Sequence, residues 1–152
     1  MTPLVVEFTV AASPEHAFEM WAQRPSLWWP RSHTISKADD LDIVFESRAG
    51  GRLFERTSDG VEHDWGRVTV WEPPTRLAYT WHLFFDPSQA TAIEVTFADA
   101  GAGTEVRIEQ TGWERLGAAG AERRANTHKA WAAIVPGYVA AFGTDGSGTT
   151  VS

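Results

Sequence analysis

Apolar and polar residues alternate with a period of two along most of this chain, and the period turns helical in only two places. Leu4–Val10 opens it: Val6, Phe8 and Val10 alternate with Glu7 and Thr9, which predicts a strand. Ser13-Pro14-Glu15-His16 then reads as a helix start. Ser13 suits the N-cap, and Pro14 suits the first helical position, where no N–H is needed. Ala17, Phe18, Met20 and Trp21 give that short helix an apolar side, and Arg24-Pro25 ends it. One further turn is predicted over 25–29, closed by Pro30.

Strands are predicted next at 41–47, 52–57, 62–71, 76–84, 91–98 and 104–111. Turn signals separate them: Ala49-Gly50-Gly51, Ser58-Asp59-Gly60, Glu72-Pro73-Pro74-Thr75, Asp86-Pro87-Ser88 and 99–103. Tight turns at this spacing indicate a largely antiparallel sheet. From about 118 to 142 the spacing becomes helical, with Trp131, Ile134, Val135, Tyr138 and Phe142 on one stripe and Arg124, Thr127 and His128 on or beside it. Pro136-Gly137 predicts a kink, not a stop, because the stripe continues past it. A Gly-, Ser- and Thr-rich tail is expected over 144–152, after a single domain at 1–143. A curved sheet with one apolar face needs a cover, and the long C-terminal helix is the element large enough. The expected fold is α+β, with a cavity where sheet and helix diverge.

Composition narrows the function classes. The net charge of −7, with Arg123-Arg124 the one adjacent basic pair, argues against nucleic acid and against an anionic membrane surface. No apolar run approaches the length of a spanning helix, and no secretory leader is expected at Met1-Thr2-Pro3-Leu4. The chain has no cysteine, which fits a cytoplasmic location and removes thiol chemistry. Its five histidines (His16, His33, His63, His82 and His128) fall into no metal-binding spacing, so neither a metal nor an organic cofactor is expected. No nucleophile elbow or phosphate loop occurs. Eight tryptophans and eight phenylalanines are the unusual content, and large aromatics build both cores and apolar pockets.

The motifs resemble a known family. They are Ser13-Pro14-Glu15-His16-Ala17-Phe18, Trp28-Trp29, Gly50-Gly51-Arg52-Leu53-Phe54-Glu55, Asp59-Gly60 and Trp65-Gly66-Arg67-Val68. Trp71-Glu72-Pro73-Pro74-Thr75-Arg76-Leu77, Trp81, 94–97, 103–106 and Trp131-Ala132-Ala133-Ile134 complete them. Together they are similar to the START-like (SRPBCC) helix-grip superfamily, in its bacterial branch named after the activator of the heat-shock-protein-90 ATPase. The resemblance covers about residues 5–142. It implies the helix-grip fold, in which a curved antiparallel sheet wraps a long C-terminal helix. Its motifs are turns and core aromatics, and its members include lipid carriers, polyketide cyclases and stress-related proteins.

The leading expectation is a binding protein for a small apolar or aromatic molecule. Its candidate ligand contacts are Trp65, Tyr79, Trp81, Gln110, His128, Trp131, Val135 and Tyr138. Strand alternation puts Leu77, Tyr79 and Trp81 on one face, and Val106, Ile108 and Gln110 on another strand's inward face. Any one of these residues is more often core than ligand contact. Alternation leaves open whether Trp65 shares Trp81's face, and Trp81 is the favoured contact. Trp28-Trp29 fits either a gate at the cavity mouth or packing beneath the strands. The alternatives are a cyclase- or hydrolase-like enzyme, with His128 as the candidate base, and a co-chaperone. A chaperone, by family analogy, and a second copy of the chain are the candidate protein partners.

Overall fold

The computed structural model describes residues 2–143 and, for the backbone alone, 150–151. The described chain runs β1 (Leu4–Val10), α1 (Pro14–Ala22), β2 (Asp42–Phe45), β3 (Arg52–Arg56), β4 (Glu62–Glu72), β5 (Arg76–Trp81), β6 (Thr91–Asp99), β7 (Thr104–Thr111), α2 (Gly120–Ala140) and β8 (Thr150–Val151). Short 3-10 turns occupy Pro25–Leu27, Arg31–His33, Pro87–Gln89 and Trp113–Ala119. The strands form one antiparallel sheet in the order β2-β3-β4-β5-β6-β7-β1-β8. Consecutive hairpins build β2 to β7, and β1 then pairs along β7, with Val6 opposite Ile108 and Phe8 opposite Val106. This is the expected α+β helix-grip architecture. Of the tail expected at 144–152, residues 144–149 and 152 lie outside the described residues. Thr150–Val151 pairs with β1.

The inward face follows the alternation. Leu4, Val6, Phe8, Leu77, Tyr79, Ile93, Val95, Phe97, Val106 and Ile108 are all buried, and α1 contributes Phe18, Met20 and Trp21. Ser13 caps α1 as expected, its Oγ accepting from His16 N at 3.2 Å. Tyr138 ties the two helices together: its hydroxyl donates to the Ala17 carbonyl at 2.7 Å, and its ring packs edge-on against Trp21 and Phe8.

Two local features depart from the pattern, each for a physical reason. First, β4 carries a bulge. Leu53 faces Gly66 and Phe54 faces Asp64, so Trp65 is the extra residue, and both Trp65 and Gly66 are buried. Gly66 is required there, since a Cβ would lie 1.9 Å from the Thr80 carbonyl oxygen. Second, β5 ends at Trp81 instead of continuing to 84. Phe84 has φ 71°, and the Phe85 amide turns back to the His82 carbonyl at 2.6 Å. As expected, α2 does not stop at Pro136 but runs on to Ala140. Gly137 sits where a Cβ would come within 2.8 Å of the Trp28 carbonyl oxygen, so the absent side chain lets the helix press on that backbone. No helix among the described residues is long and apolar enough to cross a membrane.

Candidate functional site: a tryptophan-walled cavity

A cavity of about 410 Å³ opens between α2, from its start to Ile134, and the end of β5 with the loop that follows. The sheet side supplies Trp81, Leu83, Phe84 and Phe85. The segment after α1 supplies Trp29 and His33. The helix supplies Arg123, Thr127, Ala130, Trp131 and Ile134, with Ala119, Glu122 and Asn126 toward the rim. The helix residues recur at three- and four-residue spacing, so they form one stripe. The loop contributes two exposed aromatics: Phe84 and Phe85 are 56% and 45% exposed, and Lys37 Nζ lies 5.8 Å from the Phe84 ring centroid.

The aromatic walls are held from behind. Trp29 lies 5.5 Å from Trp65 and 5.6 Å from Trp81, and Trp65 and Trp81 meet edge-on at 5.4 Å. The fully buried Glu55 carboxylate accepts from Trp65 Nε1 at 2.8 Å, from Ile35 N at 2.6 Å and from Ser36 N at 2.9 Å. Burial alone would raise its pKa. The hydrogen bonds from Ser36, Ile35 and Trp65 outweigh burial and hold the carboxyl below the usual glutamate value. Gln110 joins the two walls. Its Oε1 accepts from Trp131 Nε1 at 2.9 Å, and its Nε2 donates to Thr91 Oγ1 at 2.8 Å. Thr91 in turn donates to the Trp81 carbonyl at 3.4 Å.

Three ionisable side chains line the cavity: His33, Glu122 and Arg123. His33, half-buried, has its pKa lowered by burial and is neutral at pH 7. Glu122 is exposed in the first turn of α2. Arg123 is only 8% exposed. Its Nη1 donates to the Gln89 carbonyl at 2.5 Å, and its guanidinium lies 3.7 Å from the Phe85 ring centroid. Burial lowers its pKa, and no ion pair to it is found among the described residues. No cluster of potential metal ligands is found among them either.

Of the residues proposed from sequence, Trp81 and Trp131 line the cavity. Trp65 stands behind Trp81, brought to the same side by the bulge that alternation does not encode. Gln110 is spent on positioning Trp131. Tyr79 and Val135 are fully buried outside the lining, and Tyr138 belongs to the joint between the helices. His128 is half-buried and does not line the cavity. One residue past Thr127 means a turn of about 100° around the helix. Arg124, a turn earlier on that side, bonds the carbonyls of Thr2 and Pro3. His128, one turn after Arg124, belongs to that side of the helix. Trp28 and Trp29 are buried, their indoles donating to the Met20 and His33 carbonyls at 2.8 and 3.0 Å. Trp28 packs against Trp21 and Tyr138 of the two helices, while Trp29 packs under the strands against Trp65 and Trp81 and is also cavity wall. Arg123, His33, Phe84 and Phe85 were not among the sequence candidates. The spacing of Arg123 to Thr127, Ala130 and Ile134 was the available signal for the first.

This arrangement defines a class: a helix-grip domain with a small-molecule-sized, aromatic-walled cavity between its sheet and its long helix. A family model described as activator of Hsp90 ATPase homolog 1-like protein matches residues 11–136, and the chain belongs to that family. Among solved structures, it is 30% identical to the self-sacrificing resistance protein CalC from Micromonospora echinospora. That match covers 92% of this chain and 94% of that one, with a TM-score of 0.72. It is 37% identical to Txn09, an anthrahydroquino-gamma-pyrone synthase, over 80% of this chain and 84% of that one, with a TM-score of 0.58. Protein MLL2253 from Mesorhizobium loti shares the fold at 22% identity, over 90% of this chain and 93% of that one, with a TM-score of 0.66. No curated protein matches the chain.

Proposed function

We propose that this protein binds a flat aromatic small molecule in the cavity between β5 and α2. The observation that carries the reading is the wall itself. Trp29, Trp81, Trp131, Phe84 and Phe85 converge on about 410 Å³, inside the range of roughly 300–1,000 Å³ usual for small-molecule sites. Rings held at fixed angles offer stacking and edge contacts to a planar ligand without further ordering of side chains. One relative supports an aromatic ligand, since it is described as an anthrahydroquino-gamma-pyrone synthase.

N-phenylnaphthylamine, a neutral two-ring probe that brightens in apolar surroundings, tests this. It is expected to bind at one site and to quench tryptophan emission. Trp81→Ala should weaken it about tenfold, the equivalent of one lost aromatic contact of about 1.4 kcal/mol. His128→Ala should leave the affinity unchanged. Unaltered binding in the Trp81→Ala protein would refute the site.

The 37% identity to a synthase favours a second reading, catalysis of ring-forming chemistry on the bound molecule. His33 is the imidazole in the wall, and its neutral form is able to accept a proton. A ligand retained through purification and recovered at unchanged mass after incubation supports a carrier. A product of changed mass, absent with His33→Ala, supports a catalyst.

A further inference from the structure

We infer that the cavity is selective for aromatic acids, and that Arg123 is the anchor for the ligand's anionic group. The inference rests on the cavity being the ligand site, and it adds the charge the ligand must carry.

Arginine is rarely buried without a partner for its charge, because desolvating a cation is costly. Arg123 is more than nine-tenths buried, yet what holds it is neutral: the Gln89 carbonyl on Nη1 and the face of Phe85 at 3.7 Å. Those contacts orient the guanidinium and leave its charge unmatched. The guanidinium carries five N–H donors, and one is engaged by Gln89. The fully buried side-chain polar atom that lacks a partner among the described residues is Tyr79 Oη, not an Arg123 nitrogen. The remaining donors are therefore not sealed off, and the residue that carries them lines the cavity. Glu122 lies at the same rim but is exposed and forms no ion pair with Arg123 among the described residues. The result is a planar, preoriented, unneutralised cation in an aromatic wall. It fits a carboxylate or sulfonate on a ring that also reaches Trp81 and Trp131.

A matched probe pair tests it. Anilinonaphthalene sulfonate and N-phenylnaphthylamine share a ring system and differ by one anionic group. The wild-type protein should bind the sulfonate more tightly, with the two probes competing for one site. Arg123→Gln should weaken the sulfonate about tenfold or more while the neutral probe changes less than about threefold, and Arg123→Lys should fall between. Because Arg123 also stacks on Phe85, a loosened loop would weaken both probes equally, and that result would overturn the anchor. So would a sulfonate that is not displaced by the neutral probe, or one indifferent to Arg123→Gln. In each of these cases, neutral-probe binding leaves the aromatic cavity standing. If neither probe binds the wild-type protein, both readings fail.

Discussion

Replacing Glu55 tests how the cavity wall is held. Its carboxylate is fully buried and accepts three hydrogen bonds, two on Oε1 from Ile35 N and Trp65 Nε1 and one on Oε2 from Ser36 N. Glu55→Gln keeps the size and one carbonyl oxygen. With that oxygen in the Oε1 position, the new amide N–H₂ confronts the Ser36 N–H. One acceptor is lost and one donor is stranded, worth about 1–3 kcal/mol. At 152 residues this lowers the melting temperature by roughly 2–4 °C per kcal/mol. Glu55→Ala strands all three donors and should cost about 4 kcal/mol or more, a large share of a typical domain's stability. The pH dependence adds a second readout. The folded carboxyl titrates below the unfolded one, so its stabilisation is complete above the ordinary glutamate pKa of about 4.3 and is lost as the pH falls through the depressed folded value. Urea unfolding of wild type and Glu55→Gln between pH 7 and pH 3 should therefore show a gap that is constant near neutrality and closes in acid. Equal stability at pH 7, or a gap that persists unchanged into acid, would refute the reasoning. Trp65 emission should also shift in the variant, since its indole partner has changed.

Two further substitutions probe the interior. The Tyr79 hydroxyl is buried without a hydrogen-bond partner, and its pKa is raised by burial, with the Trp21 indole opposing the shift from outside hydrogen-bonding geometry. Tyr79→Phe should therefore be neutral or stabilising by up to about 1 kcal/mol in denaturant unfolding; a loss above 1 kcal/mol would reveal a partner. Gly137→Ala gains about 1 kcal/mol of helix propensity but puts a Cβ 2.8 Å from the Trp28 carbonyl oxygen. Net destabilisation of about 1–2 kcal/mol is expected, and a more stable variant by thermal melting would show that the contact yields easily.

Much of the fold was legible because its signals are local. Ser13-Pro14 announces α1, Asp59-Gly60 turns β3 into β4, and the Trp131, Ile134, Tyr138 stripe announces α2. The site was legible only where the period held. Trp81 and Trp131 sit on regular strand and helix and were readable. Trp65 was ambiguous because one extra residue in β4 reverses every inference from alternation. His128 was displaced by a single residue, which on a helix is about 100° of direction. Phe84 and Phe85 continue an apolar run that reads as strand, whereas the left-handed Phe84 turns it into the cavity's loop wall.

The amino-acid order by itself determined an antiparallel sheet with one apolar face, a long covering helix and an excess of aromatic side chains, because hydrophobic period and turn chemistry act over neighbouring residues. Only the tertiary structure decided which aromatics face empty space. A cavity is what remains after sheet and helix have packed, so it depends on the bulge, the loop and the phase of α2 together. Arg123 shows the difference most plainly. In the sequence it is half of the one adjacent basic pair, and the fold sends Arg124 to the backbone of Thr2 and Pro3 while burying Arg123 in the aromatic wall.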